Sequence, residues 1–325
     1  MPTIVPFETL TDLYNNLSQK YAGKNKAVFH HKLDREVGYE PVYWDQVTED
    51  VQAVAGYLFS KGIKHGDPVG ILSENRYEWA VVDLAIQLLG GINVSLYTTL
   101  PSSQCEYILQ DSQAKIFFVS TGIQLKKAVE VFDNCPDLME IVAFEMSKNA
   151  KLMAPDHVHL FDHIMRDGKG LYKEHHEAIE ASSKEVKPDD VCTLIYTSGT
   201  TGKPKGAMLT HNNICSNVKA ATHHIYWDDK DSCLSFLPLC HSFERTAGYY
   251  AIIACGAEIY YAESVDTVSK NLPEVKPTVV ISVPRLFEKI FNVINKNVEE
   301  GSAIKQQIFK WALNTGQKYV DGKRG

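Results

Sequence analysis

The chain has 325 residues, 44% of them hydrophobic and 22% charged, which is enough apolar content for a large core and too much for a disordered segment. A formal net charge of -7 argues against nucleic acid as a partner. It leaves anionic nucleotides open, because a lysine beside a phosphate acts locally while distant acids are screened beyond about 8 Å.

Met1-Pro2-Thr3-Ile4-Val5-Pro6-Phe7-Glu8 has no basic stretch leading into an apolar core, so no secretory signal is expected. In chain order the patterns predict a strand at 27–29, a helix over 46–60, a strand at 69–72, a helix over 77–89 and a strand at 92–96. The apolar region 80–94 is interrupted by Asp83, Gln87 and Asn93 and is too short to span a bilayer. Strands follow at 115–119 and 141–144. His157, His159 and His163 are spaced closely enough to raise a metal site, but no acid or cysteine completes a ligand set and the segment reads as an exposed loop. His175-His176 and His223-His224 read as surface-helix or helix-end residues. The polar run 181–190 reads as a connector ahead of a strand at 191–196. Later strands are expected at 207–210, 235–237, 258–261 and 278–282, with helix over 303–319. This alternation indicates an α/β fold rich in parallel pairing, plausibly in two sheets, without internal repeats. The seven cysteines are odd in number and form no Cys-x-x-Cys pair. Reduced cytoplasmic thiols fit that pattern better than a zinc ribbon or a disulfide framework.

Between the strands at 191–196 and 207–210 lies Thr197-Ser198-Gly199-Thr200-Thr201-Gly202-Lys203-Pro204-Lys205-Gly206. A nucleotide triphosphate needs many donors converging on its non-bridging oxygens, with cations close by. Gly199 and Gly202 remove the Cβ atoms that would hold backbone amides away. Thr197, Ser198, Thr200 and Thr201 offer hydroxyls, and Lys203 and Lys205 supply charge. The placement is strand, loop, strand. It differs from the Walker A pattern, which needs Gly-Lys followed by Ser or Thr and opens a helix, because Pro204 follows Lys203 and has no N–H to donate.

With Tyr196, this run resembles the phosphate loop of the adenylate-forming superfamily, which includes acyl-CoA synthetases, luciferases and peptide-synthetase adenylation domains. Two further blocks narrow the resemblance. Leu237-Pro238-Leu239-Cys240-His241-Ser242-Phe243-Glu244-Arg245 and Ser282-Val283-Pro284-Arg285-Leu286-Phe287-Glu288-Lys289 resemble consecutive blocks of long-chain acyl-CoA synthetases.

The resemblance implies two similar α/β subdomains, one from 1–71 plus 225–325 and the other from 72–224, with ligand between them at the strand ends. It also implies a reaction. A fatty carboxylate attacks the α-phosphorus of ATP to give acyl-adenylate and pyrophosphate, and the thiol of coenzyme A then displaces AMP. The residues Thr197, Ser198, Gly199, Thr200, Thr201, Gly202 and Lys205 would hold the phosphates, with Lys203 at a position the family varies. Thr200 would be the hydroxyl beside Mg2+. His241 would meet the substrate carboxylate as the catalytic candidate. Phe243, Tyr249 and Val283 would line the acyl tunnel or belong to the core, and Glu244 and Arg245 would form a structural pair.

The family's later elements, including its magnesium-binding glutamate, its ribose-binding aspartate and its mobile C-terminal domain, are not in these residues. On this reading the chain is a truncated, inactive N-terminal portion of a fatty-acid ligase. Two alternatives stay open: a nucleotide-binding or interaction module without catalysis, and a fatty acyl-AMP ligase that passes the acyl group to a carrier. The partners implied are fatty acid, ATP and coenzyme A in the cytoplasm, with peripheral membrane contact open. Chain-length preference and oligomeric state are not legible.

Overall fold

The computed structural model describes residues 4–32, 37–197 and 203–324. Helix α1 (Leu10–Tyr21) begins with a reciprocal cap in which Thr9 Oγ1 accepts from the Asp12 N–H at 3.0 Å and the Asp12 carboxylate accepts from the Thr9 N–H at 2.9 Å. Strands β1 (Ala27–His31) and β2 (Glu40–Tyr43) follow, then helix α2 (Trp44–Ser60). An alternating run comes next: β3 (Pro68–Leu72), α3 (Tyr77–Leu88), β4 (Ile92–Leu96), α4 (Ser102–Ser112), β5 (Ile116–Val119), α5 (Gly122–Val131), β6 (Glu140–Ala143), α6 (Lys148–Met153), β7 (Val158–Leu160) and α7 (Phe161–Glu185). After β8 (Val191–Thr197) and β9 (Lys205–Thr210) come α8 (His211–His224), β10 (Ser232–Ser235), a π-helical turn Glu244–Tyr250, α9 (Ala251–Ala254), β11 (Glu258–Tyr261) and α10 (Val268–Val275).

Among the described residues the strands form two sheets, of order β7-β6-β5-β3-β4-β8-β9 and β10-β11-β1-β2. The larger is parallel except for β9, which runs antiparallel to β8. In the smaller sheet β10, β11 and β1 are parallel and β2 is antiparallel. The larger sheet opens at Pro68, a few residues before position 72. β5 is buried along its whole length, as expected for an inner parallel strand covered by helices on both faces.

Three local expectations shift. The polar run at 181–190 continues α7 as far as Glu185, helped by a Lys184–Glu180 pair one turn apart at 3.7 Å and by Ser182 Oγ donating to the Leu89 carbonyl at 3.1 Å. The strand expected at 235–237 lies earlier, at Ser232–Ser235, because the chain leaves the sheet ahead of Pro238. The strand expected at 278–282 is reduced to a single bridge between Val279 and Cys233. The segment carrying His157 and His159 includes strand β7, with the His157 ring stacked on Phe132 at 3.6 Å. All seven cysteines are free and buried.

Helices α2 and α7 cross closely because two glycines meet at the crossing. A Cβ on Gly168 would fall well inside contact distance of the Ala53 carbonyl, and one on Gly56 would fall inside that of the Tyr172 backbone. Neither neighbour is a side chain that could rotate away. The start of α1 is fixed by another buried contact, in which the Leu10 N–H donates to His211 Nδ1 at 3.1 Å. His211 is buried, and desolvation holds its pKa down at about 4 against an ordinary 6.5, although Asp190 and Asp12 partly oppose this.

The chain divides into two compact units, the second beginning at Ser282. That second unit contains α11 (Pro284–Glu299) and α12 (Ala303–Arg324). Pro284 sits in the first turn of α11, where its missing N–H leaves no helical bond unmade. Val283 is the residue that precedes this helix.

Gly168→Ala is expected to lower stability by about 2 kcal/mol or more, as overpacking against a fixed backbone does. Gly170→Ala on the same helix, with open space around its Cβ, should be neutral or stabilising by up to about 1 kcal/mol. Thermal unfolding of the two variants side by side checks this. A second expectation concerns pH. Since folded His211 binds its proton less readily than unfolded His211, its contribution is complete above pH 6.5 and is lost as the pH falls toward 4. The loss is on the order of 3 kcal/mol. Denaturant titrations between pH 4 and 8 should show this dependence in the wild-type chain and a weaker one in His211→Gln.

Candidate functional site

Strands β8 and β9 lie antiparallel, which sets Thr197 opposite Lys205 on either side of the Gly- and Thr-rich segment. Ser198, Gly199, Thr200, Thr201 and Gly202 lie outside the described residues. Thr197, Lys203 and Lys205 are exposed. Helix α4 supports both flanks. Tyr196 Oη donates to Asp111 at 2.7 Å, and Lys203 Nζ stands 5.4 Å from the centre of the Tyr107 ring.

A cavity of about 500 Å³ opens at this end of the larger sheet. Thr197 lines it from the end of β8 and Pro204 from just ahead of β9, Tyr97 from the segment after β4, Gln104 from α4, and His241 and Ser242 from the segment after β10. Two blocks separated by nearly forty positions in the sequence therefore share one cavity wall. His241 Nδ1 accepts from the Phe243 N–H at 3.2 Å. A neutral imidazole whose Nδ1 accepts must carry its proton on Nε2, so the His241 ring has an Nε2–H donor available for an anionic or carbonyl oxygen.

The remaining substrate-side candidates separate. Phe243 is 44% exposed beside His241. Tyr249 is fully buried among aromatic rings, its ring centre 6.2 Å from that of Phe29, 5.8 Å from Trp79 and 4.6 Å from Tyr250, and so it belongs to the core. Val283 lies in the second unit, directly ahead of α11.

Glu244 and Arg245 do not pair with each other. Glu244 Oε1 accepts from Ser235 Oγ at 2.6 Å, while Oε2 is buried without a partner. Burial pushes its pKa up to about 8, so the carboxyl is largely protonated at neutral pH. Arg245 turns the other way and forms an ion pair with Asp83, the two residues being 1% and 0% exposed. Around that pair, Arg245 Nη1 donates to Thr193 Oγ1 at 2.6 Å, Tyr250 Oη to Asp83 at 2.6 Å and Asn93 Nδ2 to Asp83 at 2.7 Å. Ser95 Oγ donates in turn to Asn93, and Ser95 lines the cavity. Adjacent residues thus face opposite partners, a geometry supported by the π-helical turn that begins at Glu244.

The family model for AMP-binding enzymes matches residues 19–315. The chain belongs to the AMP-binding enzyme family. Its relatives include the long-chain-fatty-acid–CoA ligase FadD15 of Mycobacterium bovis, 33% identical over 84% of this chain and 44% of the relative. The long-chain-fatty-acid–CoA ligase ACSBG2 of Homo sapiens is 32% identical over 88% of this chain and 42% of the relative. The chain therefore spans less than half the length of these relatives. Among solved structures, the A-PCP didomain of carboxylic acid reductase from Segniliparus rugosus in complex with AMP superposes with a TM-score of 0.75. The match is 19% identical and covers 92% of this chain and 46% of that one, a likeness of fold. The mixed α/β architecture with largely parallel sheets is that of the adenylate-forming enzymes.

Asp83, Asn93 and Thr193 were not legible as a network from sequence. The available signal was the presence of Asp83 and Asn93, with Gln87, within the otherwise apolar stretch 80–94, where a buried polar side chain requires a partner. Arg245→Met should cost about 3–5 kcal/mol by leaving Asp83 buried and uncompensated. The Arg245→Met/Asp83→Asn double variant, with the charge removed, should be more stable than Arg245→Met alone, which denaturant unfolding of all three chains will show.

Proposed function

We propose that the chain provides the nucleotide-binding and carboxylate-facing part of a long-chain fatty-acid–CoA ligase that forms AMP. The observation that carries this reading is the single cavity shared by the flanks of the phosphate-loop segment and His241, in a chain of the AMP-binding family. A carboxylate oxygen of the fatty acid attacks the α-phosphorus of ATP, the bond from that phosphorus to the bridging oxygen breaks, and pyrophosphate leaves. The sulfur of coenzyme A then attacks the acyl carbon and AMP leaves. The carboxylate is itself the nucleophile, so the protein's task is alignment and stabilisation of spreading negative charge.

Residues Thr197 to Gly202 with Lys205 are proposed to hold the β- and γ-phosphates, with Lys203 as a peripheral cation. Magnesium, when bound, would offset phosphate charge, and the Thr200 hydroxyl is its proposed contact. His241, with Nδ1 held by the Phe243 N–H, would offer Nε2–H to the substrate carboxylate or acyl-adenylate carbonyl. Phe243 is proposed to lie along the entering acyl chain. The relatives are about twice as long, and we propose that these 325 residues alone turn over at a small fraction of the rate of a full-length ligase.

The test is fatty-acid-dependent exchange of pyrophosphate into ATP by the complete reading frame that encodes these residues, with palmitate, acetate or no acid, and by the 325-residue chain for comparison. Exchange stimulated by palmitate more than by acetate is expected, with a loss of about 100-fold in Lys205→Ala, the scale of removing one preorganised charge contact. The shorter chain should stay near background. Absence of exchange with every acid in the complete reading frame would overturn the ligase reading and leave a binding module.

A further inference from the structure

We infer that Asn75 is a positioning residue, which holds in place the segment that delivers His241 to the cavity. The inference rests on the proposed function only where it assigns a substrate to His241. Asn75 lies between β3 and α3, on the larger sheet, and reaches the segment that leaves β10 in the smaller one. Its amide is fully used. Nδ2 donates to the Leu237 carbonyl at 2.7 Å and to Ser235 Oγ at 3.0 Å, and Oδ1 accepts from the Leu239 N–H at 3.1 Å.

Giving an N–H to one residue and taking one from the residue two places on is how a neighbouring strand pairs with an extended chain. The side chain of Asn75 therefore replaces a strand where the sheet has ended. Replacement is needed because residues 236–239 have left the sheet and Pro238 has no N–H of its own to pair. From there the support continues into the site. The His241 N–H donates to the Pro238 carbonyl at 2.9 Å, and the Arg245 N–H donates to the His241 carbonyl at 3.1 Å. His241 thus sits between a segment clamped by Asn75 and a turn anchored by the Arg245–Asp83 pair.

The segment is also a partition. Phe236, Pro238 and Cys240 line a smaller cavity of about 150 Å³ together with Asn75, while His241 and Ser242 line the larger one. Asn75 touches the partition from the side away from the larger cavity, so its effect on a ligand there passes through His241. The donor chain is consistent in direction as well. Asn75 Nδ2–H donates to Ser235 Oγ, whose own proton goes to Glu244 Oε1.

The test uses the full chain with isotopically labelled histidine, the His241 imidazole signal being assigned by its loss in His241→Gln. Asn75→Ala is expected to move or broaden that signal and leave that of the exposed His176 on α7 unchanged. Asn75→Asp, which keeps the volume and the acceptor but loses both donors, should do the same and serves if Asn75→Ala does not fold. In parallel, the affinity for palmitoyl-sulfamoyl-adenosine, a stable mimic of the acyl-adenylate, should fall about ten-fold in Asn75→Ala, the scale of one lost hydrogen bond. It should fall no further when Asn75→Ala is added to His241→Ala, and AMP affinity should hold. An unmoved His241 signal in a folded variant, or additive losses in the double variant, would overturn the inference. A His241 signal that moves in the Asn75 variants, together with a wild-type chain that binds the palmitoyl mimic no better than AMP, would support the clamp and count against the ligase reading.

Discussion

The ion pair between Arg245 and Asp83 is the interaction on which the arrangement of the site depends. Both groups are removed from water, and each would be costly without the other. Asp83 belongs to α3, beside the larger sheet, and Arg245 to the π-helical turn that follows β10 of the smaller sheet. Thr193 on β8 and Tyr250 on the turn add hydrogen bonds that leave the pair one well-defined geometry. Burial alone would lower the Arg245 pKa, but Asp83 and then Tyr250 hold it above its ordinary value, so the guanidinium stays charged. The pair ties helix α3 to the π-helical turn, and His241 lies one turn away on the same backbone.

The site is assembled from pieces that have little reason to meet except through this framework. The β8–β9 strand pair supplies the flanks of the Gly- and Thr-rich segment, helix α4 supports them through Asp111 and Tyr107, and the exit from β10 supplies His241. Each piece is held by groups that do not line the cavity themselves. Glu244 illustrates the division of labour, since its carboxyl is buried, has its pKa raised by that burial and is bonded to Ser235, which places it in the framework. The cysteines belong there too. Burial pushes the thiols of Cys192, Cys233 and Cys240 up to about 12, so they are inert packing groups near the strands that carry the site.

Much of the fold was legible because its signals are local. The apolar runs of β3 and β5, the alternation of apolar and polar residues in β4 and the helical patterns between them require only neighbouring residues, as does the Gly- and Thr-rich segment between two strands. The errors fall where a distant partner decides. The stretch 181–185 is polar enough for a loop, yet it stays helical where Ser182 reaches Leu89. Residues 236–237 have strand-like composition, yet they leave the sheet, and Asn75 pairs with the Leu237 carbonyl and the Leu239 N–H instead. Tyr249 reads equally well as a channel wall or as core, and only its packing against Phe29, Trp79 and Tyr250 decides between them.

The sequence by itself determined the α/β class, the placing of a Gly- and Thr-rich segment between two strands and the resemblance of three blocks to adenylate-forming enzymes. Composition, periodicity and motif spacing are properties of contiguous residues, and they survive without knowledge of the fold. The tertiary structure alone decided that Glu244 and Arg245 face different partners, that Asp83 is the counterion and that Thr197 and His241 share a cavity. The reason is physical: a buried charge or amide takes whichever partner the packing brings within about 3 Å. In this chain those partners are often more than a hundred residues away, as Asp83 is from Arg245 and Asn75 from Leu237.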